Sequence, residues 1–304
     1  MDTNSNHLIV VAGPTAVGKT EIALLIADLY QTSILSCDSR QLYNEMNIGT
    51  AKPTDSELKK APHFFINHLS IYDSYSAGKY ETEAINLAEE LFLKTNQLIL
   101  TGGTGLYMNA ILNGMDKYPD VDASIVNELE ETFQKEGLSN LLLQLEKADP
   151  DYHQSVDKNN SRRIIRALSV IKQSGKSFTS FRLGQPKKRN FKPIFILLQR
   201  DREELYNRIN NRVDKMIENG LESEARALYP FKTLKALQTV GYQEFFDFFD
   251  GKYTRIKAIE LIKQNSRRYA KRQLTWYRKN NHWNTFHPTN HSDIIDFLQS
   301  QNIK

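Results

Sequence analysis

The first hundred residues alternate between short apolar runs and segments with helical spacing. The apolar run Leu8–Ala12 predicts a strand, and apolar positions recur at helical spacing within Glu21–Tyr30. The segment TSILSCDSRQ predicts a second strand that ends on Asp38, and QLILTGGTGLY predicts a further strand that runs into a glycine-rich turn. Between them, Thr82–Lys94 has the pattern of an amphipathic helix. This alternation predicts an α/β fold with a parallel sheet, and a phosphate site at the carboxyl ends of its strands.

The pattern changes from about Asp116. Residues 122–182 are rich in Leu, Glu, Gln, Lys and Arg with helical periodicity, and they show no clear strand pattern. KPIFILLQRD (192–201) then predicts a strand that returns to the sheet, and Glu203–Tyr229 and Ile256–Asn280 predict two long helices. The polar tail from His282 predicts no element. We therefore expect a P-loop NTPase-like core from residues 1–115 and 190–304, with a helical insertion domain over residues 116–189.

Composition narrows the class of protein. The 304 residues are 40% hydrophobic and 25% charged, which is typical of a soluble globular protein. The apolar runs are too short to span a bilayer, and the polar start MDTNSNH lacks the order of a signal peptide. The single cysteine, Cys37, excludes an internal disulfide framework and a multi-cysteine zinc site. We expect a cytoplasmic protein with no membrane partner.

The distribution of positive charge is more informative than the net charge of +4. Lys and Arg are interleaved with aromatic residues and no acid between Arg267 and Lys279. Further basic groups lie at Arg162, Arg163 and Arg166 and in PKKRNFK, 186–192. Each cluster alone is equally compatible with a solvated helix face. Several clusters together, one of them with aromatic residues, favour a polyanionic partner.

The octapeptide GPTAVGKT, residues 13–20, has the spacing of a phosphate-binding loop between a strand and a helix. Its glycines let several backbone N–H groups point at one anion, and Lys19 adds a positive charge. Thr20 offers a hydroxyl to a metal ion at the start of a helix whose dipole favours anions. A kinase, an NTPase or a diphosphate-releasing transferase are all compatible with this loop.

Three further groups have chemistry that suits such a loop. Asp38 is a candidate general base, although an N-cap or turn aspartate has the same local pattern. Thr104 lies in TGGTGLY, whose glycines also suit a plain connection between a strand and a helix. Arg208 and Arg212 are four apart, which suits either a fork that neutralises a phosphate or two surface arginines.

The motifs of the chain together resemble the tRNA dimethylallyltransferase family over roughly residues 8–280. They are, in order, GPTAVGKT, DSRQLYNEMNIGTAKPT, YSAGKYETEA, GGTGLYMNAIL, RRIIRAL, RINNRVDKM, LQTVGYQE and SRRYAKRQLTWYRK. The resemblance implies transfer of a dimethylallyl group from dimethylallyl diphosphate to N6 of adenosine 37, directly 3′ of the anticodon, in tRNAs that read codons beginning with U. The products are N6-(dimethylallyl)adenosine and diphosphate, and we expect the enzyme to act as a monomer.

The resemblance also implies the roles of individual residues. The donor's diphosphate is held with Mg²⁺ by the phosphate loop, which comprises Gly13, Pro14, Thr15, Ala16, Val17, Gly18, Lys19 and Thr20. Thr20 is the expected metal ligand, Asp38 the base, and Arg212 the group that stabilises the leaving diphosphate. The expected catalytic set is therefore Asp38, Arg212, Lys19 and Thr20.

The expected contacts to the tRNA anticodon stem-loop fall in six places. They are Asp38, Ser39, Arg40 and Gln41; Thr104; Val126; Arg162, Arg163, Ile164, Ile165 and Arg166; Gln238, Thr239, Val240, Gly241, Tyr242 and Gln243; and Lys271, Arg272, Gln273, Leu274, Thr275, Trp276, Tyr277 and Arg278. Val126 stands where relatives often carry an arginine, and Cys37 where alanine is usual.

Three other functions are compatible with part of these motifs. A P-loop kinase with Asp38 as base leaves the segment Arg267–Lys279 without a role. A prenyltransferase acting on free adenine nucleotides shares the donor site but does not need the helical insertion. A tRNA-binding protein without catalysis does not need Lys19, Thr20 and Asp38 in the donor site.

Overall fold

A computed structural model describes residues 6–182, 184–279 and 282–301 of the chain. The strands are β1 Asn6–Ala12, β2 Ile34–Ser36, β3 His63–Phe64, β4 Gln97–Thr101, β5 Phe191–Leu198 and β6 Asn284–Phe286. The helices are α1 Lys19–Tyr30, α2 Asp55–Leu58, α3 Ala77–Phe92, α4 Gly105–Asn113, α5 Ala123–Ala148, α6 Pro150–Ser155, α7 Ser161–Ser174, α8 Arg202–Glu218, α9 Leu221–Leu228, α10 Gln243–Phe249, α11 Arg255–Tyr277 and α12 His291–Ser300. Short 3₁₀ turns lie at Thr179–Phe181, Tyr229–Phe231 and Lys235–Leu237.

The six strands form one sheet in the order β3-β2-β4-β1-β5-β6, and every pair is parallel. This confirms the predicted α/β class with a parallel sheet. The central strand β1 is buried on both faces: Leu8 and Val10 pack into one apolar cluster, and Ile9 and Val11 pack into the other. Burial on both faces explains why β1 appears in the sequence as a continuous apolar run.

Several element boundaries differ from those that the sequence predicts. The long helix expected over 203–229 is divided at Asn219–Gly220, because Gly220 adopts φ +96° and a new helix, α9, begins at Leu221. The second strand ends at Ser36, so Asp38 lies in the loop that follows it. The tail from His282 forms β6 and α12, whose short apolar pattern the polar residues obscured.

The chain divides into two compact units, residues 1–112 with 188–304 and residues 113–187. The first unit contains the whole sheet. The second consists of α5, α6, α7 and a 3₁₀ turn around its own apolar core, and its longest helix is interrupted at Gly137, which has φ +78°. No strand occurs among the described residues of this second unit, and no described helix of the chain is long and apolar enough to cross a bilayer.

Candidate active site

A cavity of about 900 Å³ opens at the carboxyl ends of β1, β2 and β4, within the unit that contains the sheet. Loops that follow these three strands line one side of it, and α8, α11 and the segment before α10 line the other. Parallel strands place their following loops at one edge, which is why segments far apart in sequence meet there. The lining includes Thr15, Lys19, Thr20, Asp38, Ser39, Arg40, Gln41, Gly103, Thr104, Arg208, Arg212, Gln238, Thr239, Val240, Gly241, Gln243, Arg272 and Gln273.

Backbone geometry favours glycine at both glycine positions of the phosphate loop, Gly13 and Gly18. Gly13 has φ +148°, and a Cβ there would lie 2.8 Å from the carbonyl oxygen of Leu198. Gly18 has φ +120° and lies immediately before α1. The first backbone N–H groups of α1 have no partner within the helix, so they are available to an anion.

Cationic side chains hold the carbonyl groups of the phosphate loop. Lys19 Nζ donates to the carbonyl oxygens of Gly13 and Pro14, both at 2.9 Å. Arg208 Nε donates to the carbonyl of Ala16 at 2.9 Å, and Arg200 Nε donates to the carbonyl of Val17 at 2.8 Å. These four contacts fix the conformation of the phosphate loop.

Lys19 and Arg212 are two desolvated cations in the same cavity. Arg212 Nη1 donates to Thr15 Oγ1 at 3.2 Å. Burial, and secondly the charge of Arg212, lower the pKa of Lys19 to about 8, whereas the nearby carboxylate of Asp38 opposes this shift. Burial also lowers the pKa of Arg212, against the same carboxylate. Two cations that have lost water and repel one another form a site that favours a multivalent anion.

Asp38 is held by the backbone of its own loop. Its Oδ1 accepts the N–H of Arg40 at 2.9 Å and that of Gln41 at 3.4 Å, which is an Asx turn. Within residues 6–182, 184–279 and 282–301, no group donates a hydrogen bond to its Oδ2. The turn role and the base role are therefore compatible, because one oxygen fixes the side chain and the other remains able to accept a proton.

The glycine-rich loop after β4 packs directly against Asp38. Thr104 Oγ1 accepts the N–H of Ser39 at 2.9 Å and lies 3.1 Å from its hydroxyl oxygen. A Cβ on Gly102 would lie 2.5 Å from the carbonyl carbon of Cys37, and one on Gly103 would lie 3.1 Å from Asp38 Oδ2. These glycines allow the close approach of the two loops, so TGGTGLY is more than a plain connection.

Two of the expected RNA-contacting side chains instead hold the protein backbone. The Arg40 guanidinium donates to the carbonyls of Lys235 at 3.1 Å and Ala236 at 2.9 Å. The Gln41 amide donates to the carbonyls of Thr50 at 3.3 Å and Ala51 at 3.1 Å. These contacts fix the walls of the cavity, and no signal in the sequence distinguishes them from ligand contacts.

The segment 238–243 lies along the cavity, but its side chains have different environments. Gln238 and Gln243 are exposed, and Thr239 and Val240 are half-buried. Tyr242 is fully buried, and its hydroxyl donates to Glu224 at 2.6 Å. Gly241 has φ +99° and donates its N–H to Glu244 at 2.8 Å. The burial of Tyr242 assigns its side chain to packing.

The expected contact segment 271–278 lies on α11, where some of its side chains are exposed and others are buried. Those on its outer face are exposed: Lys271, Arg272, Thr275 and Arg278. Gln273 and Tyr277 are buried, Leu274 is partly buried against the second core cluster, and Trp276 packs over Gly105. Tyr277 also donates to the carbonyl of Gly13 at 3.3 Å. The outer face therefore presents exposed side chains to a partner, whereas Gln273 lines the cavity.

The insertion unit shows the same division on α7. Arg162, Arg163 and Arg166 are exposed, with the Arg166 guanidinium 5.6 Å from the ring centre of Tyr118. Ile164 and Ile165 are buried in the apolar core of this unit, and Val126 is half-buried against it. The three arginines can contact a polyanion, whereas the burial of the isoleucines assigns them to packing.

The structure gives two positions a role that the sequence did not indicate, Arg200 and Glu224, and it gives Gln273 a different role from the expected RNA contact. Arg200 holds the phosphate loop and pairs with Glu204. Glu224 accepts the backbone N–H groups of Asn47, Ile48 and Gly49 at 2.9–3.0 Å. Gln273 is polar yet lies on the buried face of α11, between Ala270 and Tyr277. A polar residue at a position where the helical pattern of α11 predicts an apolar one is a signal that the sequence did contain.

Comparison with known proteins matches this arrangement to one family. A family model described as IPP transferase matches residues 41–280. The chain belongs to the IPP transferase family. A tRNA dimethylallyltransferase of Christiangramia forsetii is 48% identical over 299 residues, which cover 98% of this chain and 99% of the relative. The tRNA dimethylallyltransferase 1 of Bacteroides fragilis is 47% identical over 293 residues, covering 96% and 97%.

Solved structures of IPP transferases extend the likeness to the fold. The full-length tRNA isopentenylpyrophosphate transferase of Bacillus halodurans has a TM-score of 0.73 and 35% identity, and the match covers 98% of this chain and 97% of that chain. A eukaryotic dimethylallyltransferase acting on tRNA has a TM-score of 0.80 and 26% identity, covering 95% and 75%. The predicted resemblance is thereby confirmed, and so is the predicted P-loop-like core.

Proposed function

We propose that this protein transfers the dimethylallyl group of dimethylallyl diphosphate to N6 of adenosine 37, directly 3′ of the anticodon, in tRNAs that read codons beginning with U. The products are N6-(dimethylallyl)adenosine and diphosphate. One observation carries the proposal: a phosphate loop, a partly buried arginine and a carboxylate with an available oxygen line the same cavity. The IPP transferase family of the chain supports the same reaction.

Asp38 acts on the acceptor. An exocyclic adenine amine is a weak nucleophile, and it becomes acidic only as its nitrogen bonds to the allylic carbon. The N6–C1 bond forms while the C1–O bond of the donor breaks, and the proton of N6 passes to Asp38 Oδ2. A positioned base of this kind accelerates such reactions by about 10²–10⁴-fold. The Asx turn at Oδ1 keeps the carboxylate oriented during the transfer.

Lys19 and Arg212 act on the donor. Negative charge develops on the diphosphate as the C1–O bond breaks, and both cations lie in the cavity with the N-terminus of α1. Their desolvation makes them more effective toward that charge than cations in water. Lys19 uses two of its three N–H donors on the Gly13 and Pro14 carbonyls, which leaves the third for a phosphate oxygen.

The proposal includes Mg²⁺ bound together with the donor. Among the described residues, no three His, Cys, Asp or Glu side chains are arranged to hold a metal ion by themselves. Mg²⁺ commonly binds through one or two protein oxygens together with substrate phosphates, and the Thr20 hydroxyl, which lines the cavity, would provide such an oxygen. The ion would supply charge neutralisation of the leaving diphosphate.

The tRNA is proposed to bind through its backbone to exposed cations and to present an unstacked base to the cavity. An adenine within a stacked anticodon loop is inaccessible to attack, so the base has to leave the stack. Arg272 of α11 lines the cavity, and Lys271 and Arg278 add exposed positive charge on the same helix. We further propose that the protein acts as a monomer in the cytoplasm. Size-exclusion chromatography with light scattering tests the oligomeric state, and cell fractionation tests the location.

The deciding experiment incubates the purified protein and Mg²⁺ with dimethylallyl diphosphate and an unmodified anticodon stem-loop that carries adenosine 37. Nucleoside mass spectrometry then measures N6-(dimethylallyl)adenosine, with Asp38→Asn protein and free AMP as parallel reactions. Product on RNA but not on AMP, and its loss in Asp38→Asn, supports the proposal. Product on AMP alone assigns the protein to the nucleotide prenyltransferases, and ATP turnover without prenylation assigns the loop to a nucleotide.

A further inference from the structure

Gln273 bridges two loops of the cavity with one buried amide. The side chain is 6% exposed. Its Oε1 accepts the backbone N–H of Thr15 at 2.8 Å, and its Nε2 donates to the carbonyl of Gly103 at 2.9 Å. Thr15 belongs to the phosphate loop after β1, and Gly103 belongs to the loop after β4. Tyr269 of the same helix, α11, also donates to the Gly103 carbonyl, at 2.9 Å, but Gln273 is the residue that links this loop directly to the phosphate loop, and the two loops come from adjacent strands.

Both ends of this bridge reach groups of the proposed chemistry. The Thr15 hydroxyl accepts a hydrogen bond from Arg212 at 3.2 Å. Gly103 is close enough to Asp38 that a Cβ on it would lie 3.1 Å from Asp38 Oδ2 and 3.0 Å from Gln273 Nε2. The Gln273 amide thus connects the phosphate loop, which is proposed to hold the leaving diphosphate, to the loop after β4, which packs against Asp38.

The bridge also determines which backbone groups remain for the diphosphate. Because the Thr15 N–H already donates to Gln273, it is not available to a phosphate oxygen in this arrangement. The unpaired N–H groups at the start of α1 remain available. A side chain that accepts at one atom and donates at the other can bond to both loops at once, and the glutamine amide does so.

We propose that Gln273 is a positioning residue of the donor site, which holds the phosphate loop at a fixed distance from the base loop. This inference rests on the proposed function for its catalytic consequence. It assigns Gln273 to the donor diphosphate rather than to contact with the tRNA, which is the role that the family resemblance implied. The effect on diphosphate affinity does not depend on the identity of the acceptor.

The test compares Gln273→Met with Gln264→Met. Methionine has a similar length and no hydrogen-bonding amide, and Gln264 is an exposed glutamine on the same helix. Calorimetry measures the affinity for inorganic diphosphate with Mg²⁺, and fluorescence anisotropy measures the affinity for the anticodon stem-loop. Steady-state kinetics separate KM for the donor from KM for the RNA, and circular dichroism confirms folding.

In Gln273→Met we expect diphosphate affinity to fall and the donor KM to rise by about tenfold, since a buried N–H loses its partner. RNA affinity stays within twofold of wild type, and Gln264→Met matches wild type throughout.

Unchanged diphosphate affinity in folded Gln273→Met overturns the inference, as does a loss confined to RNA affinity. If Gln273→Met does not fold, Gln273→Asn tests the same point without a change of charge: it keeps the amide but is one methylene shorter than the span between the two loops, so diphosphate affinity is again expected to fall by about tenfold. If wild type binds diphosphate but makes no prenylated RNA, the proposed function fails while the affinity comparison still decides this inference.

Discussion

The hydroxyl of Tyr242 donates to the carboxylate of Glu224 at 2.6 Å, and that carboxylate also accepts three successive backbone N–H groups, of residues 47–49. The two residues come from different elements, α9 and the segment that precedes α10. They hold one wall of the cavity, since Gly49, Thr50 and the segment 238–243 line it. The Glu224 carboxylate thus serves as the hydrogen-bond acceptor for three backbone N–H groups of the loop at residues 47–49.

We expect Glu224→Ala to lower the free energy of unfolding by about 2–4 kcal/mol, because it leaves several partly buried donors without an acceptor. Urea denaturation followed by circular dichroism measures the change. Glu222→Ala on the same helix is the matched control. Glu222 pairs with Arg255 and Arg226 at the surface, so its loss is expected to cost less than about 1 kcal/mol. Equal losses in the two variants would contradict this account.

Asp38→Asn tests the assignment of the base. Asparagine keeps the size of the side chain and an oxygen for the Asx turn, but its amide is a far weaker base. We expect kcat to fall by about 10²–10⁴-fold. The affinity for dimethylallyl diphosphate, measured by calorimetry, stays near that of wild type. A variant that retains more than a tenth of the wild-type kcat would assign proton removal to another group.

The lowered pKa of Lys19 predicts a pH dependence of donor binding. In the free protein the pKa is about 8, and a bound diphosphate raises it because the anion favours the charged amine. The complex therefore holds more protons than the free protein above pH 8, so affinity falls as pH rises, by up to about tenfold per unit. The terminal phosphate, with a pKa of about 6, stays ionised over this range.

Calorimetric titrations between pH 7 and 10 measure this slope. Lys19→Arg provides the control, since arginine remains protonated throughout and its affinity is expected to be independent of pH. An equal slope in wild type and Lys19→Arg would place the titrating group elsewhere.

Arg212 and Arg208 lie on the same helix but differ in environment. Arg212 is partly buried in the cavity near Asp38, whereas Arg208 is exposed and holds the carbonyl of Ala16. We expect Arg212→Ala to lower kcat by about 10²–10³-fold, as for the loss of a group that stabilises developing charge. Arg208→Ala is expected to lower it by less than about tenfold. Single-turnover kinetics with saturating donor separate the chemical step from binding, and the opposite ranking would reverse the two roles.

The three exposed arginines of α7 test the role of the insertion unit. Replacing Arg162, Arg163 and Arg166 together by alanine removes positive charge without opening the apolar core. We expect RNA affinity to fall and the slope of log affinity against log salt to decrease by about 2–3, since each phosphate contact contributes about 0.7–0.9. Anisotropy titrations at several salt concentrations measure both. Lys176→Ala, a single exposed charge in the same unit, is the control, and an unchanged slope in the triple variant would remove this unit from RNA binding.

The sequence by itself determined the sheet class and the phosphate loop. Continuous apolar runs such as Leu8–Ala12 have the pattern of strands buried on both faces, and GPTAVGKT has a spacing that few other structures require. The sequence also placed Asp38 at the carboxyl end of the second strand, although that strand ends two residues earlier, at Ser36. These features are local, because each depends on neighbours within a few residues.

Only the tertiary structure decided which polar side chains face a ligand and which hold the backbone. Arg40, Gln273 and Tyr277 lie in segments that the sequence assigned to RNA contact, yet they bond to loop carbonyls or amides that are distant in the chain. Glu224 had no visible role until α9 packed beside residues 47–49. These hydrogen bonds depend on which loops meet at the edge of the sheet. The spacing of residues along the chain does not determine which loops meet.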